Sequence, residues 1–207
     1  MGRLGTRLYE PVLGRLLGGV RSAGRELCPP RPGMLVLDVG CGTGAFLAGY
    51  ATAGCRVAGV DASPEMLGEA RRRLGPGALL VQGDAGALPF FAGAAGVVTA
   101  TMLFHSLSAE EGRAALVEMA RVAGGSGRVL VADHRPGRVA GTWPRAARTV
   151  ARAIEGAAGH GDGVRSLLAA GGMAALAAGA GLEVEARLTA AGGALEVLRL
   201  RHAGVVA

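Results

Sequence analysis

The chain has 207 residues, half of them apolar, and a net charge of +6. That is long enough for one full core and too apolar for a disordered chain. Every basic residue is Arg, scattered along the sequence, with no Lys and no Asn; a skew of this kind reflects a G- and C-rich coding sequence more than a surface selected for nucleic acid.

In chain order, Leu4, Leu8, Val12, Leu16, Leu17 and Val20 recur at helical spacing, which predicts an N-terminal helical arm interrupted near Pro11. Cys28 to Gly33, with three prolines, is a connector. Strands and helices then alternate. The predicted strands are Met34–Val39, Arg56–Val60, Ala78–Gln82, Gly96–Thr101 and Arg128–Ala132. A helix is expected from near Thr43. A second starts after Ser63, an N-cap with Pro64 at the first position, and ends on Arg71-Arg72-Arg73. Another runs from about Ala109 to Val122 behind Ser108. This alternation predicts a mostly parallel sheet covered on both faces. Beyond Asp133 the pattern changes: a helix lies within Arg138 to His160 and a helical stretch covers Val164 to Ala180. Two last strands, Leu182–Leu188 and Ala194–Arg201, are placed to pair antiparallel.

Three Cys at unrelated spacings suit a reduced, cytoplasmic setting better than a disulfide framework. Four dispersed His give no metal-ligand spacing, so no metal site is expected. No secretory signal is visible, and Met1-Gly2-Arg3-Leu4-Gly5-Thr6 matches a myristoylation pattern too short to carry weight. The apolar stretch Leu167 to Leu182 is shorter than a membrane span and reads as packed helices.

The most informative segment is Leu35-Val36-Leu37-Asp38-Val39-Gly40-Cys41-Gly42-Thr43-Gly44. A strand runs into a turn of bare backbone, where a ligand can lie close. About twenty residues on, the next strand ends at Asp61, an acid suited to ribose hydroxyls. The pattern is G-x-G-x-G, and Ala45 stands where a dinucleotide fingerprint has its third glycine. Three ordered blocks, Val36–Gly44, Gly59–Leu67 and Gly83–Phe90, make the chain resemble a class I S-adenosylmethionine-dependent methyltransferase. The closest subgroup is the type 11, quinone-biosynthesis-like enzymes. The likeness covers about Tyr9 to His202.

The resemblance implies a Rossmann-like α/β fold: a mostly parallel seven-stranded sheet with an antiparallel C-terminal strand. It implies one domain, with an arm at 1–33, a cofactor core at 34–135, a helical substrate lid at 136–180 and C-terminal strands at 181–207. The cofactor that the resemblance implies is S-adenosyl-L-methionine. Gly40, Gly42 and Gly44 would let the backbone approach its methionine part, and Asp38 would face its ammonium. Asp61, beside Ala62, would accept from the ribose. Met66 would lie on the adenine, Asp84 would take its amino group, the Ala85 N–H would donate to the ring, and Leu88 would wall the pocket. Thr101 closes the set at the end of the fourth strand.

Methyl transfer needs mainly alignment, plus a base where the acceptor must lose a proton. His105 is the first choice for that base and His134 the second, because both follow strands at the ligand-binding edge. Tyr9, Phe104 and His160 are the expected substrate contacts. The acceptor is expected to be a small apolar or aromatic molecule methylated at O, C or N. A face of Trp143, Ala147, Val150 and Ile154 opposite Arg145, Arg148 and Arg152 permits membrane docking, but a solvated Arg face is the plainer reading. The alternative function is a non-catalytic binding protein that keeps the cofactor pocket. The chain departs from the resembled pattern at Phe90–Gly96, at Gly124–Gly127 and at Ser106, where a second His is common.

Overall fold

The structure is a computed structural model and describes residues 17–136 and 161–204. It opens with helix α1 (Gly18–Leu27), then β1 (Leu35–Val39), α2 (Leu47–Thr52), β2 (Arg56–Asp61), α3 (Pro64–Leu74) and β3 (Leu79–Gln82). Next come β4 (Val97–Thr101), α4 (Ala109–Ala123) and β5 (Arg128–His134). Helices α5 (Gly161–Ala169) and α6 (Met173–Gly179) precede β6 (Leu182–Ala190) and β7 (Leu195–His202). The strands form one seven-stranded sheet in the order β3-β2-β1-β4-β5-β7-β6. The pairs among β1 to β5 are parallel, and β7 runs antiparallel to both β5 and β6. This is the fold expected from the sequence.

Burial on both faces explains why the strands read as apolar runs. Leu37, Val39, Val98, Val129 and Val131 share one core cluster with Leu116 and Met119 of α4 and Met173 and Ala177 of α6. Val36, Val57, Leu130 and Ala132 share the other with Val20 and Leu27 of α1, Tyr50 of α2 and Leu67 of α3. The helix starts follow their caps. The Ser63 hydroxyl accepts from Met66 N–H, and Ser108 forms a capping box with Glu111.

Three expectations shift. Strand β5 continues through Asp133 and His134, because these residues pair with Glu196 and Leu195 of β7. The stretch Val164–Ala180 is two helices, broken where Gly171 and Gly172 take φ of +91° and +79°. The helix after the glycine turn begins only at Leu47. Among the described residues, no helix is long and apolar enough to cross a membrane. The Trp143–Ile154 face lies outside the described residues.

Candidate functional site

The carboxyl ends of β1, β2 and β4 gather the predicted glycine turn and its acids. Each of the three glycines has a positive φ, and their surroundings differ. A Cβ on Gly40 (φ +67°) would meet Leu103 Cδ1 at 2.9 Å, and one on Gly44 (φ +72°) would meet Leu74 Cδ1 of α3 at 2.8 Å. A Cβ on Gly42 (φ +52°) would meet nothing within 4 Å. The first and third glycines therefore let neighbouring side chains close in. The middle one faces open space, the position from which a ligand can touch bare backbone.

Asp38 is fully buried. Register places it beside Thr99 of β4, whose hydroxyl donates to Oδ1 at 2.5 Å. Its Oδ2 is buried with no hydrogen-bond partner among the described residues. Burial pushes the Asp38 carboxyl up to about 7 against the Thr99 bond, and the Asp61 charge adds to the rise. A buried acid with one unpartnered oxygen fits a cationic group on a ligand.

Asp61 ties the turn together. Its Oδ2 accepts from Gly42 N–H at 2.7 Å and its Oδ1 from Ser63 N–H at 2.9 Å. Each carboxylate oxygen keeps a further lone pair for a hydroxyl donor. Met66 and Ala85 are half-buried, Ala62 and Asp84 are exposed, and Leu88 is buried. Asp84 closes its own turn by accepting from Gly86 N–H at 2.6 Å. Thr101 is half-buried at the end of β4.

The segment around Leu88 is held by a pair that sequence inspection does not reveal. Glu118 of α4 accepts from Leu88 N–H at 2.8 Å, and Arg121 donates to the carbonyls of Leu88 at 3.0 Å and Phe90 at 2.8 Å. Arg121 also pairs with Glu118 at 2.6 Å. Side chains one helical turn apart on α4 were the available signal.

At the ends of β4 and β5, the chain makes a short 3-10 turn over Phe104–Ser106. Met102 enters it with φ +58°, uncommon for a residue with a Cβ, while its N–H donates to Ala132 O at 2.8 Å. The turn lays His105 on Asp133. Nδ1 stands 3.2 Å from Oδ1 and 3.3 Å from Oδ2. Asp133 also accepts from His105 N–H at 3.2 Å and His134 N–H at 2.7 Å. The two imidazoles meet edge to face at 5.4 Å. Burial pushes the Asp133 carboxyl up, but His105, His134 and these bonds outweigh it, and the net shift is below the usual range. Glu196, opposite Asp133 on β7 and buried, goes the other way; burial raises it against the neighbouring Arg187 and Arg135.

Phe104, an expected substrate contact, is 2 % exposed and packs in the core with Leu116 and Met173. Ser106 closes the 3-10 turn by donating to Leu103 O at 2.6 Å. Tyr9 and His160 lie outside the described residues. Asp133 was legible only as a strand-end acid. Its role as partner of His105 depends on a contact 28 residues apart in sequence.

Residues 36–127 match the methyltransferase domain family. The matched stretch runs from β1 through α4 and takes in the glycine turn, Asp38 and Asp61. A demethylmenaquinone methyltransferase of Renibacterium salmoninarum is 40% identical over 102 residues, which cover 49% of this chain and 42% of that one. The chain spans about half the length of the curated relatives it matches. Among solved structures, the complex between the Haloferax volcanii Trm112 methyltransferase activator and a methyltransferase matches with a TM-score of 0.68 at 18% identity, covering 95% of this chain and 93% of that one. An O-methyltransferase from neocarzinostatin biosynthesis, solved with S-adenosyl-L-homocysteine and 1,4-dihydroxy-2-naphthoic acid, matches with a TM-score of 0.66 at 24% identity; the match covers 96% of this chain and 57% of that one. The seven-stranded sheet with its antiparallel C-terminal pairings agrees with these likenesses of fold.

Proposed function

We propose that this protein is a methyltransferase that binds S-adenosyl-L-methionine along the ends of β1, β2 and β3 and transfers its methyl group to a small acceptor beside β4 and β5. The observation that carries the reading is the buried Asp38 carboxylate, with its unpartnered oxygen, beneath a glycine turn open at Gly42. Asp38 offers its charge to the ammonium, and Asp61 accepts from the ribose hydroxyls with the lone pairs its loop bonds leave. Met66 and Leu88 bracket the adenine. Asp84 takes the exocyclic amino group, and the Ala85 N–H donates to the ring. The bound cofactor supplies an electrophilic methyl group on a sulfonium.

His105 acts on the acceptor. Its Nδ1–H donates to Asp133, which fixes the tautomer and makes Nε2 the atom that takes a proton from an acceptor hydroxyl. The imidazolium that forms rests against the ionised Asp133. His134 flanks the pair and is the second candidate for contact with the acceptor. Segment 136–180 is the proposed lid, with Tyr9 and His160 as acceptor contacts. Relatives named as demethylmenaquinone methyltransferases support a quinone-type acceptor.

Calorimetry with the cofactor and with S-adenosylhomocysteine, followed by labelled methyl transfer to quinols, phenols and amines, tests the proposal. Binding with turnover that falls in His105→Ala supports it. Absence of cofactor binding rejects it, and binding without turnover on any of these acceptors leaves a non-catalytic binding protein instead.

A further inference from the structure

The cluster at the ends of β4 and β5 has a property that methyl transfer does not use. We propose that His105, Asp133 and His134 form a binding site for one divalent transition-metal ion.

One donor atom from each residue lies within 4.8 Å of the other two, and all three residues are buried. Metal–nitrogen and metal–oxygen bonds to these side chains are about 2.0–2.2 Å, which puts neighbouring donors on one ion roughly 3 Å apart. His105 Nδ1 is 3.2 Å from Asp133 Oδ1, so this pair already spans one edge of such a coordination shell. Two imidazoles with one carboxylate favour Zn²⁺, Co²⁺, Ni²⁺ or Fe²⁺ over Mg²⁺ and Ca²⁺, which take mostly oxygen.

The surroundings hold the donors in place. Backbone N–H groups of His105 and His134 bond to the Asp133 carboxylate and fix its plane, as outer partners do around ligating carboxylates. The left-handed Met102 folds the 3-10 turn back onto β5. From above, Gly163 of α5 sits so close to the His105 carbonyl that a Cβ there would stand 1.9 Å from it. On the neighbouring strand, buried Glu196 pairs in register with Asp133 and is itself ion-paired with Arg187 at 3.5 Å.

Binding at Nδ1 displaces the proton that His105 shares with Asp133. In the neutral ring that proton moves to Nε2, so binding selects the other tautomer and replaces the Nδ1–H bond to Asp133. On the reading above, an occupied site also caps the nitrogen that would serve as base.

The test is titration of the full chain with Co²⁺ alone, without cofactor or acceptor, so its failure is separate from any failure of methyl transfer. Visible d–d absorption should saturate at one ion per chain. Asp133→Asn and His134→Gln should each weaken binding by about tenfold or more. His202→Ala, at the far end of β7 against Ala120 O, should leave it unchanged. Thermal unfolding checks that each variant is folded; His134→Gln decides the matter should Asp133→Asn fail to fold. No saturable absorption, or equal affinity in His134→Gln, overturns the site.

Discussion

Asp38 is the residue whose chemistry can be read most directly by titration. Its carboxyl is raised to about 7 by burial, from an ordinary value near 3.8. Between those two values the folded state binds a proton that the unfolded state has released, so this group lowers stability as pH rises through that window. A cationic cofactor group reverses the preference, because it favours the ionised form. Cofactor affinity should therefore rise with pH through about 7 and level off above it, as measured by calorimetry from pH 5.5 to about 8.5. In Asp38→Asn that dependence should disappear and affinity should drop by roughly tenfold or more, as expected when a charge-assisted contact is lost. A variant that kept the same pH profile would assign the profile to another group. Asp61 differs because it ties Gly42 and Ser63 together and, in the proposed function, also accepts from the ribose. Asp61→Ala should lower both cofactor affinity and melting temperature, whereas Asp38→Asn should lower affinity alone.

At the scale of elements, the Glu118–Arg121 pair of α4 anchors the segment that carries Leu88 and Phe90. The Arg121 bond is the largest influence holding the Glu118 carboxyl below its ordinary range, against a partial desolvation. Arg121→Ala removes two donors to backbone carbonyls and leaves Glu118 without its cation. It should weaken cofactor binding several-fold, equivalent to about 1 kcal/mol for partly exposed bonds, with kcat at saturating cofactor little changed. Equal loss in kcat would place the segment in the chemistry instead. This clamp was not legible in the sequence, where Glu118 and Arg121 look like a solvated helix face. The strands and caps were legible for local reasons: apolar runs buried on both faces, and Ser63 and Ser108 before acidic first turns. The extension of β5 to His134 was not, because it depends on pairing with Leu195, far along the chain. Nor was the placement of Phe104, since an aromatic at a strand end looks the same whether it turns into the core or into a pocket. His105 was singled out from its position alone. Its Asp133 partner needed the tight turn at Met102, and nothing in a methionine advertises a left-handed backbone.

Across the described residues, the apolar packing and the proposed ligand contacts lie in different places. The two apolar clusters cover the faces of the sheet, while the glycine turn, the acids and His105 collect at the carboxyl edge. Tyr50 of α2 gives a way to test that separation. It is fully buried, and its hydroxyl donates to the carbonyls of Cys28 at 2.9 Å and Gly24 at 3.3 Å, pinning the end of α1 to α2. Burial also pushes the phenol well above its ordinary range, so it remains a neutral donor at physiological pH. Tyr50→Phe keeps the ring and its tilted contact with Phe46 at 5.8 Å, and removes only the donor. The Gly24 carbonyl still accepts from Cys28 N–H at 2.8 Å, so the Cys28 carbonyl bears most of the loss. An unsatisfied buried carbonyl costs about 1–3 kcal/mol, which in a domain of this size lowers the melting temperature by roughly 2–10 °C. Cofactor affinity, measured by calorimetry well below that temperature, should stay within about twofold of the parent, because the lost bond lies between α1 and α2 and not at the glycine turn. A large fall in affinity alongside the fall in melting temperature would mean that the end of α1 helps to shape the cofactor pocket.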